Sequence, residues 1–151
     1  MSPKKSAPKI KLPKIKVKNS GVIPLQFYND FPDGNLVIAE VQKNIPWPIK
    51  RVYFINNLFN KTAKRGLHAH KKLEQVIFCI NGSFRLKLDD GRTKQEIVMD
   101  NPYYGVRLGP RLWHDMSNFS NDCVILVLAA DHYKETDYIR DYQQFKKFVS
   151  R

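Results

Sequence analysis

Two histidines one residue apart, His68 and His70, are the side chains of this chain best suited to chemistry. They lie in the segment 65–75, which reads RGLHAHKKLEQ, and Glu74 follows four positions after the second histidine. Because successive side chains of a β-strand point to opposite faces, both imidazoles are expected on the same face. Such a pair is typical of either a metal site or a proton-transfer site.

The metal alternative draws on a second segment, in which His114 and Asn118 are spaced as HxxxN. Together with HxHxxxE in the first segment, this pattern resembles the two motifs of the metal-binding cupins. Imidazole and carboxylate ligands suit iron, manganese, nickel or zinc. The pattern is imperfect, because Leu112 stands where the second motif has a glycine and the gap from Pro110 to His114 is one residue short.

The second alternative is acid–base catalysis, for which neutral imidazole is the best suited side chain near pH 7. Two histidines on one strand face would serve adjacent carbons of one substrate. Arg65, Lys71 and Lys72 flank them and are suited to holding an anionic group. The residues taken alone leave both alternatives open.

The elements that must position these residues are short strands separated by turns. Asn81-Gly82 and Asp90-Gly91 each predict a hairpin. Apolar residues at spacings of three and four predict a helix from Glu135 to Val149. Many short strands and one terminal helix together predict an all-β fold, a jelly-roll barrel with a C-terminal α-helix. The predicted strands are 23–28, 36–42, 49–55, 66–70, 75–80, 84–88, 95–99, 105–108 and 123–129.

Composition and charge set the organisation of the 151 residues. The net charge is +12, but seven lysines precede the first acidic residue, Asp30, which leaves +5 for the remainder. We predict a basic, flexible extension over 1–19 and one domain over 20–151. The chain has no apolar stretch of about 20 residues and no apolar segment typical of a secretory signal. We therefore expect a cytoplasmic protein without nucleic-acid or membrane partners.

Longer strings resemble one family, the sugar 3,4-ketoisomerases, which act on dTDP-4-keto-6-deoxy-D-glucose. The resemblance runs from about residue 22 to 148 and rests on RGLHAHKKLEQ (65–75), LDDG (88–91), WHDM (113–116), FS (119–120) and DYIRDY (137–142). It implies a metal-independent cupin with no cofactor, which forms a homodimer by exchanging strands. It also implies conversion of a dTDP-linked 4-keto sugar into the 3-keto isomer through an enediol, in deoxyamino-sugar biosynthesis.

The resemblance assigns the catalytic roles to the two histidines of the first string, and we expect His70 to be the base at C3 and His68 to be its partner. The chain departs from the family at Asn56, near the end of a strand, where the resemblance implies a tyrosine. The rate of the reaction and the stereochemistry of its product are therefore left open. The alternatives are a related nucleotide-sugar epimerase and a non-catalytic sugar-binding cupin. Substrate contacts are assigned to Arg65, Lys72, Glu74, Arg107, Trp113 and His114.

Overall fold

The computed structural model describes residues 9–151, and within them the chain is built almost entirely of antiparallel strands. Alternation explains the strand type: in the seventh strand Phe84, Leu86 and Leu88 are buried while Arg85 and Lys87 are exposed. One α-helix, α1 (Tyr142–Val149), follows a single 3₁₀ turn at Glu135–Asp137. The strands are β1 (Ser20–Pro24), β2 (Gln26–Asn29), β3 (Asn35–Ile38), β4 (Arg51–Ile55), β5 (Arg65–His70), β6 (Gln75–Asn81), β7 (Phe84–Asp89), β8 (Lys94–Met99), β9 (Tyr104–Leu108), β10 (Trp113–Ser117), β11 (Val124–Ala129) and β12 (Tyr138–Ile139).

Two five-stranded sheets face each other, with strand orders β1-β9-β6-β11-β4 and β12-β5-β10-β7-β8, and β2 and β3 form a separate ribbon. The apolar core lies between the sheets, where Ile77, Val106 and Val127 of the first sheet share a cluster with Leu86 and Met116 of the second. This architecture confirms the prediction of an all-β jelly-roll barrel with a C-terminal α-helix.

The two predicted hairpins have different outcomes. Asp90-Gly91 joins β7 to β8 as predicted, and Asp89 pairs with Lys94 at its base. The Asn81-Gly82 prediction is wrong, because β6 and β7 belong to different sheets. The chain crosses between sheets at this point, where Ser83 and Ser120 exchange two hydrogen bonds of 2.8 and 2.9 Å. Contacts with a distant loop therefore override the local turn signal.

The predicted helix start at Glu135 is also wrong, because α1 begins seven residues later, at Tyr142. Asp141 caps the helix by accepting a hydrogen bond from the backbone N–H of Gln144 at 2.8 Å. The preceding residues form the 3₁₀ turn and β12, which pairs with β5. The apolar residues that suggested one continuous helix therefore belong to two elements. A strand at 113–117 was not predicted, because its polar residues mask the alternation.

The described part of the basic segment, residues 9–19, lies against the barrel. Val17 is buried in the main core, and Ile10 and Ile15 pack against that core. The backbone N–H groups of Lys16 and Lys18 donate hydrogen bonds to side chains of the β7–β8 hairpin. The predicted flexible extension otherwise falls on residues 1–8, which lie outside the described residues. No helix of the described part is long and apolar enough to cross a membrane.

Candidate active site

Strand β5 places both histidines of the first motif on the inner side of the barrel. The rings of His68 and His70 lie 4.9 Å apart between centroids, while Ala69 between them packs on the opposite side, in the cluster under α1. His114 of β10 is the direct partner of His68, and their ring centroids lie 4.6 Å apart. The structure thus brings together three of the four histidines in the chain.

A β-bulge in β5 orients the site. His114 pairs with His68, but the next residue of β10, Asp115, pairs with Gly66, so Leu67 is an extra residue. Gly66 and Leu67 both have positive φ, +81° and +56°. In a regular strand Arg65 would face away from His68, because three positions separate them. The extra residue places Arg65 on the cavity side instead, where both side chains line the same space.

A cavity of about 400 Å³ opens beside the histidines, within the size range of small-molecule sites. Both sheets and the segment after the 3₁₀ turn contribute to its wall. The lining residues are Arg51, Tyr53, Ile55, Arg65, Gly66, His68, Ile77, Leu108, His114, Met116, Val127, Tyr138 and Arg140. The wall therefore combines three arginines with imidazoles, which suits an anionic polar ligand.

Hydrogen bonds identify the tautomer of each imidazole. His68 donates from Nδ1 to the carbonyl of Gly66 at 3.0 Å, and His114 donates from Nδ1 to the carbonyl of Leu112 at 3.3 Å. Because a carbonyl only accepts, Nδ1 carries the proton in both and Nε2 holds a lone pair. Nδ1 of His70 lies 3.1 Å from a carboxylate oxygen of Asp137. Its Nε2 is buried and has no hydrogen-bond partner among the described residues.

Burial lowers the pKa of all three imidazoles. The pKa of His70 falls to about 4, because burial and then the neighbouring His68 outweigh the opposing attraction of Asp137. The pKa of His114 lies well below its usual value for the same reason, burial first and then the two other histidines. All three are therefore neutral near pH 7 and available as bases.

The three histidines also form a group that could hold a metal ion, because one ring nitrogen from each lies within 4.8 Å of the others. Glu74, the carboxylate of the HxHxxxE pattern, lies outside this group. Its two oxygens accept hydrogen bonds of 2.9 and 2.5 Å from the guanidinium of Arg107. A metal bound here would therefore have three imidazole ligands, because the expected carboxylate is engaged in an ion pair.

The other predicted substrate-contact residues are distributed unevenly. Lys72 and Glu74 line a second, smaller cavity of about 260 Å³, which shares Arg51 and Tyr138 with the first. Arg107 is fixed by Glu74 and lines neither of these cavities.

Trp113 does not fit the prediction of a substrate contact. It lies on the outer side of its sheet, where its ring packs against Tyr142 of α1 at 5.3 Å between centroids. The physical reason is strand alternation: Trp113 precedes the inward-facing His114 and therefore faces outward.

Sequence reasoning assigned no role to several residues of the cavity wall. The ring of Tyr138 contacts His68 and His70, with centroid distances of 4.9 and 4.4 Å, and the guanidinium of Arg140 lies over the Tyr138 ring at 4.3 Å from its centroid. Tyr53 lines the cavity and donates its hydroxyl to Gln75 Oε1 at 3.0 Å. The DYIRDY string could have pointed to Tyr138 and Arg140, and the alternation of side chains along β4 could have pointed to Tyr53. Asn56 is exposed beyond the end of β4.

An antiparallel jelly-roll barrel with inward-facing histidines beside a cavity defines a protein of the cupin type. Comparison with known families assigns it further. Residues 18–150 match the family described as FdtA: WxcM-like, C-terminal. The match covers most of the chain, and the chain belongs to this family.

Known relatives agree in fold and sequence. The chain is 55% identical, over 118 residues, to the TDP-4-oxo-6-deoxy-alpha-D-glucose-3,4-oxoisomerase of Aneurinibacillus thermoaerophilus, covering 78% of this chain and 84% of that one.

Two solved structures are similar over nearly their whole length. One is a histidine-to-asparagine variant of the 3,4-ketoisomerase from Thermoanaerobacterium thermosaccharolyticum in complex with TDP-4-keto-6-deoxyglucose, with 37% identity, a TM-score of 0.85 and coverage of 89% and 96% of the two chains. The other is a 3,4-ketoisomerase from Helicobacter canadensis, with 39% identity, a TM-score of 0.83 and coverage of 88% and 98%.

Proposed function

We propose that this protein is a 3,4-ketoisomerase that converts a dTDP-linked 4-keto-6-deoxyhexose into its 3-keto isomer in deoxysugar biosynthesis. The observation that carries the proposal is the cluster of neutral imidazoles beside a cavity of about 400 Å³. The relatives act on or bind substrates of this class.

The proposed reaction moves protons and needs no external oxidant. A base removes the proton from C3, which is acidic because it is α to the C4 ketone, and the electron pair forms an enediolate across C3 and C4. A proton is then delivered to C4, and the hydroxyl proton at O3 is transferred to O4 as the C3 ketone forms. Positioned acid–base groups of this kind typically contribute about 10²–10⁴-fold to the rate.

We assign the proton transfers to His68 and His70. His68 lines the cavity, and His70 lies directly beside it with a carboxylate on Nδ1 and an Nε2 that has no hydrogen-bond partner within residues 9–151. That arrangement favours His70 as the base at C3. The rings of His68 and Tyr138 pack against His70, so contact between its Nε2 and C3 requires a shift of one of these rings.

The arginines of the cavity wall supply positive charge for the reaction. Arg51, Arg65 and Arg140 line the same cavity as His68 and His114. Preorganised cations stabilise an oxyanion more strongly in a site that excludes water than in solution. We therefore assign Arg51 and Arg65 to the enediolate oxygen or the diphosphate of the substrate, a charge-based role that requires no metal ion. The guanidinium of Arg140 is instead paired with Glu135, to which it donates hydrogen bonds of 2.8 and 2.9 Å.

Reaction in D₂O tests the function. The protein is incubated in D₂O, with EDTA present, with dTDP-4-keto-6-deoxyglucose, and the products are followed by NMR. We expect a 3-ketone with deuterium at C4, and no turnover by the H70N variant, whose fold is checked by circular dichroism. A 4-ketone with an inverted carbon would identify an epimerase instead. Tight substrate binding without isotope exchange would identify a non-catalytic sugar-binding protein.

We also propose that the chain acts as a homodimer. The outer side of the first sheet carries an apolar groove of about 380 Å³, and Val52 and Phe54 of the edge strand β4 are exposed. Contiguous exposed apolar surface is typical of an interaction site. Within the single chain β1 pairs with β9, so strand exchange stays a prediction, as does the cytoplasmic location.

A further inference from the structure

The carboxylate of Asp137 connects the end of the 3₁₀ turn to the catalytic strand. Its Oδ2 atom lies 3.1 Å from Nδ1 of His70, although 67 residues separate the two in sequence. The same carboxylate accepts backbone N–H bonds from Lys72 at 2.9 Å and from Leu73 at 3.3 Å. Asp137 is therefore held in place by the turn that follows β5.

This geometry determines where the proton of His70 resides. An ionised carboxylate only accepts hydrogen bonds, so Nδ1 of His70 must carry the proton that fills the 3.1 Å contact. The lone pair is then on Nε2, the buried atom that has no partner in the described part of the chain. The opposite tautomer would place two acceptors against each other at Nδ1 and leave no base at Nε2.

The three imidazoles differ in what faces Nδ1. His68 and His114 donate to backbone carbonyls, whereas His70 donates to a charged group. When a histidine takes a proton from the substrate it becomes a cation, and an adjacent carboxylate stabilises that cation more than a carbonyl does. Of the three histidines in the cluster, His70 has a carboxylate at Nδ1, whereas His68 and His114 have backbone carbonyls there.

We propose, resting on the function proposed above, that Asp137 is a positioning residue that keeps the Nε2 atom of His70 unprotonated and stabilises the imidazolium formed during proton transfer. Asp137 acts through His70 and takes up no proton itself. Asp137 also connects the catalytic strand to the segment that leads into α1. The residue after it, Tyr138, packs against the same imidazole.

The test is the D137N variant. The amide oxygen of asparagine is expected to take the Oδ1 position, where it keeps the shorter bond, 2.9 Å, from the backbone N–H of Lys72. The NH₂ group then takes the Oδ2 position, where it faces Nδ1 of His70 and the longer bond from Leu73 is lost. An NH₂ group donates, so Nδ1 becomes the acceptor and the proton moves to Nε2, which removes the base. We expect kcat to fall about 10²–10⁴-fold, the range for loss of a positioned base, with little change in KM.

The matched control is D141N. Asp141 lies in the same string, but its carboxylate caps α1 by accepting a hydrogen bond from the backbone N–H of Gln144 rather than from a histidine. We expect D141N to retain wild-type kcat and nearly wild-type thermal stability, because asparagine caps a helix about as well as aspartate. If D137N retains wild-type kcat, or if D141N loses as much kcat as D137N, the proposal is wrong.

A spectroscopic measurement tests the proposal without substrate. Long-range ¹H–¹⁵N correlation spectra of ¹⁵N-histidine protein report the tautomer of each imidazole, and the His70 signals are assigned by their loss in H70N. Wild-type His70 should be the Nδ1–H tautomer, and D137N should convert it to Nε2–H. An Nε2–H tautomer in the wild type overturns the proposal, even if D137N fails to fold. Absence of ketoisomerase activity with the expected tautomer would instead contradict the proposed function.

Discussion

At the scale of single residues, burial and hydrogen-bond partners together set what the histidines can do. An exposed histidine is half protonated near pH 6.5, which would leave part of the enzyme without a base at neutral pH. Here burial is the first cause of the lowered pKa in His68, His70 and His114. The cluster is therefore in its basic form over a wide pH range.

This leads to a prediction for the pH dependence of the reaction. A lowered pKa means that the imidazole stays neutral as the pH falls through 6.5 and is protonated only near the lowered value, about 4 for His70. We expect kcat/KM to stay level between about pH 8 and pH 5.5 and to fall below that range. The measurement is a pH–rate profile, with circular dichroism at each pH to exclude unfolding. An acid limb centred near pH 6.5 would contradict it.

At the scale of elements, the bulge in β5 is the feature on which the site depends most. Gly66 has a φ of +81°, and a Cβ there would lie 2.9 Å from the carbonyl oxygen of His114. Its neighbour Leu67 also has positive φ but points its side chain outward, where 44% of it is exposed. The close approach of two backbones at Gly66 therefore fixes the spacing between β5 and β10, and with it the spacing of the histidines.

We predict that G66A weakens both stability and catalysis. The added methyl group must push β10 away, and the strained backbone costs about 1–3 kcal/mol of the free energy of unfolding. A shift of His114 relative to His68 should lower kcat by about tenfold or more. The control is G21A in β1, where a Cβ meets nothing within 4 Å. Denaturant unfolding and kcat are measured for both, and equal effects in the two variants would show that the bulge has no special role.

Local patterns predicted the strands with clear alternation, such as β7, and the β7–β8 hairpin. They also placed His68 and His70 on one face. They did not predict the bulge that places Arg65 in the cavity wall, because the extra residue is visible only in the pairing with β10. Nor did they predict Asp137, since its contact with His70 depends on the path of the chain over 67 residues. Local signals thus specify the elements, and long-range pairing completes the site.

At the scale of the whole molecule, the two sheets have different outer faces. The second sheet is covered by α1, whose Phe145 is fully buried against Ala69 and Trp113. The first sheet is covered in part by the segment around Ile45, Trp47 and Ile49, which leaves an apolar groove and the edge strand β4 exposed. A barrel with one covered and one partly uncovered face is well suited to pairing through the uncovered face.

We predict that the protein is a dimer in solution and that Phe54 lies in its interface. Phe54 is 64% exposed on β4 and lies beside Leu126, a residue of the groove. The F54D substitution should therefore place a charge in the part of the interface from which water is excluded. The control is V98D, because Val98 is 52% exposed on the outer side of β8 in the other sheet. Light scattering after gel filtration should find a dimer for the wild type and V98D and a monomer for F54D. A monomeric wild type would contradict dimerisation, and a dimeric F54D would contradict the choice of face.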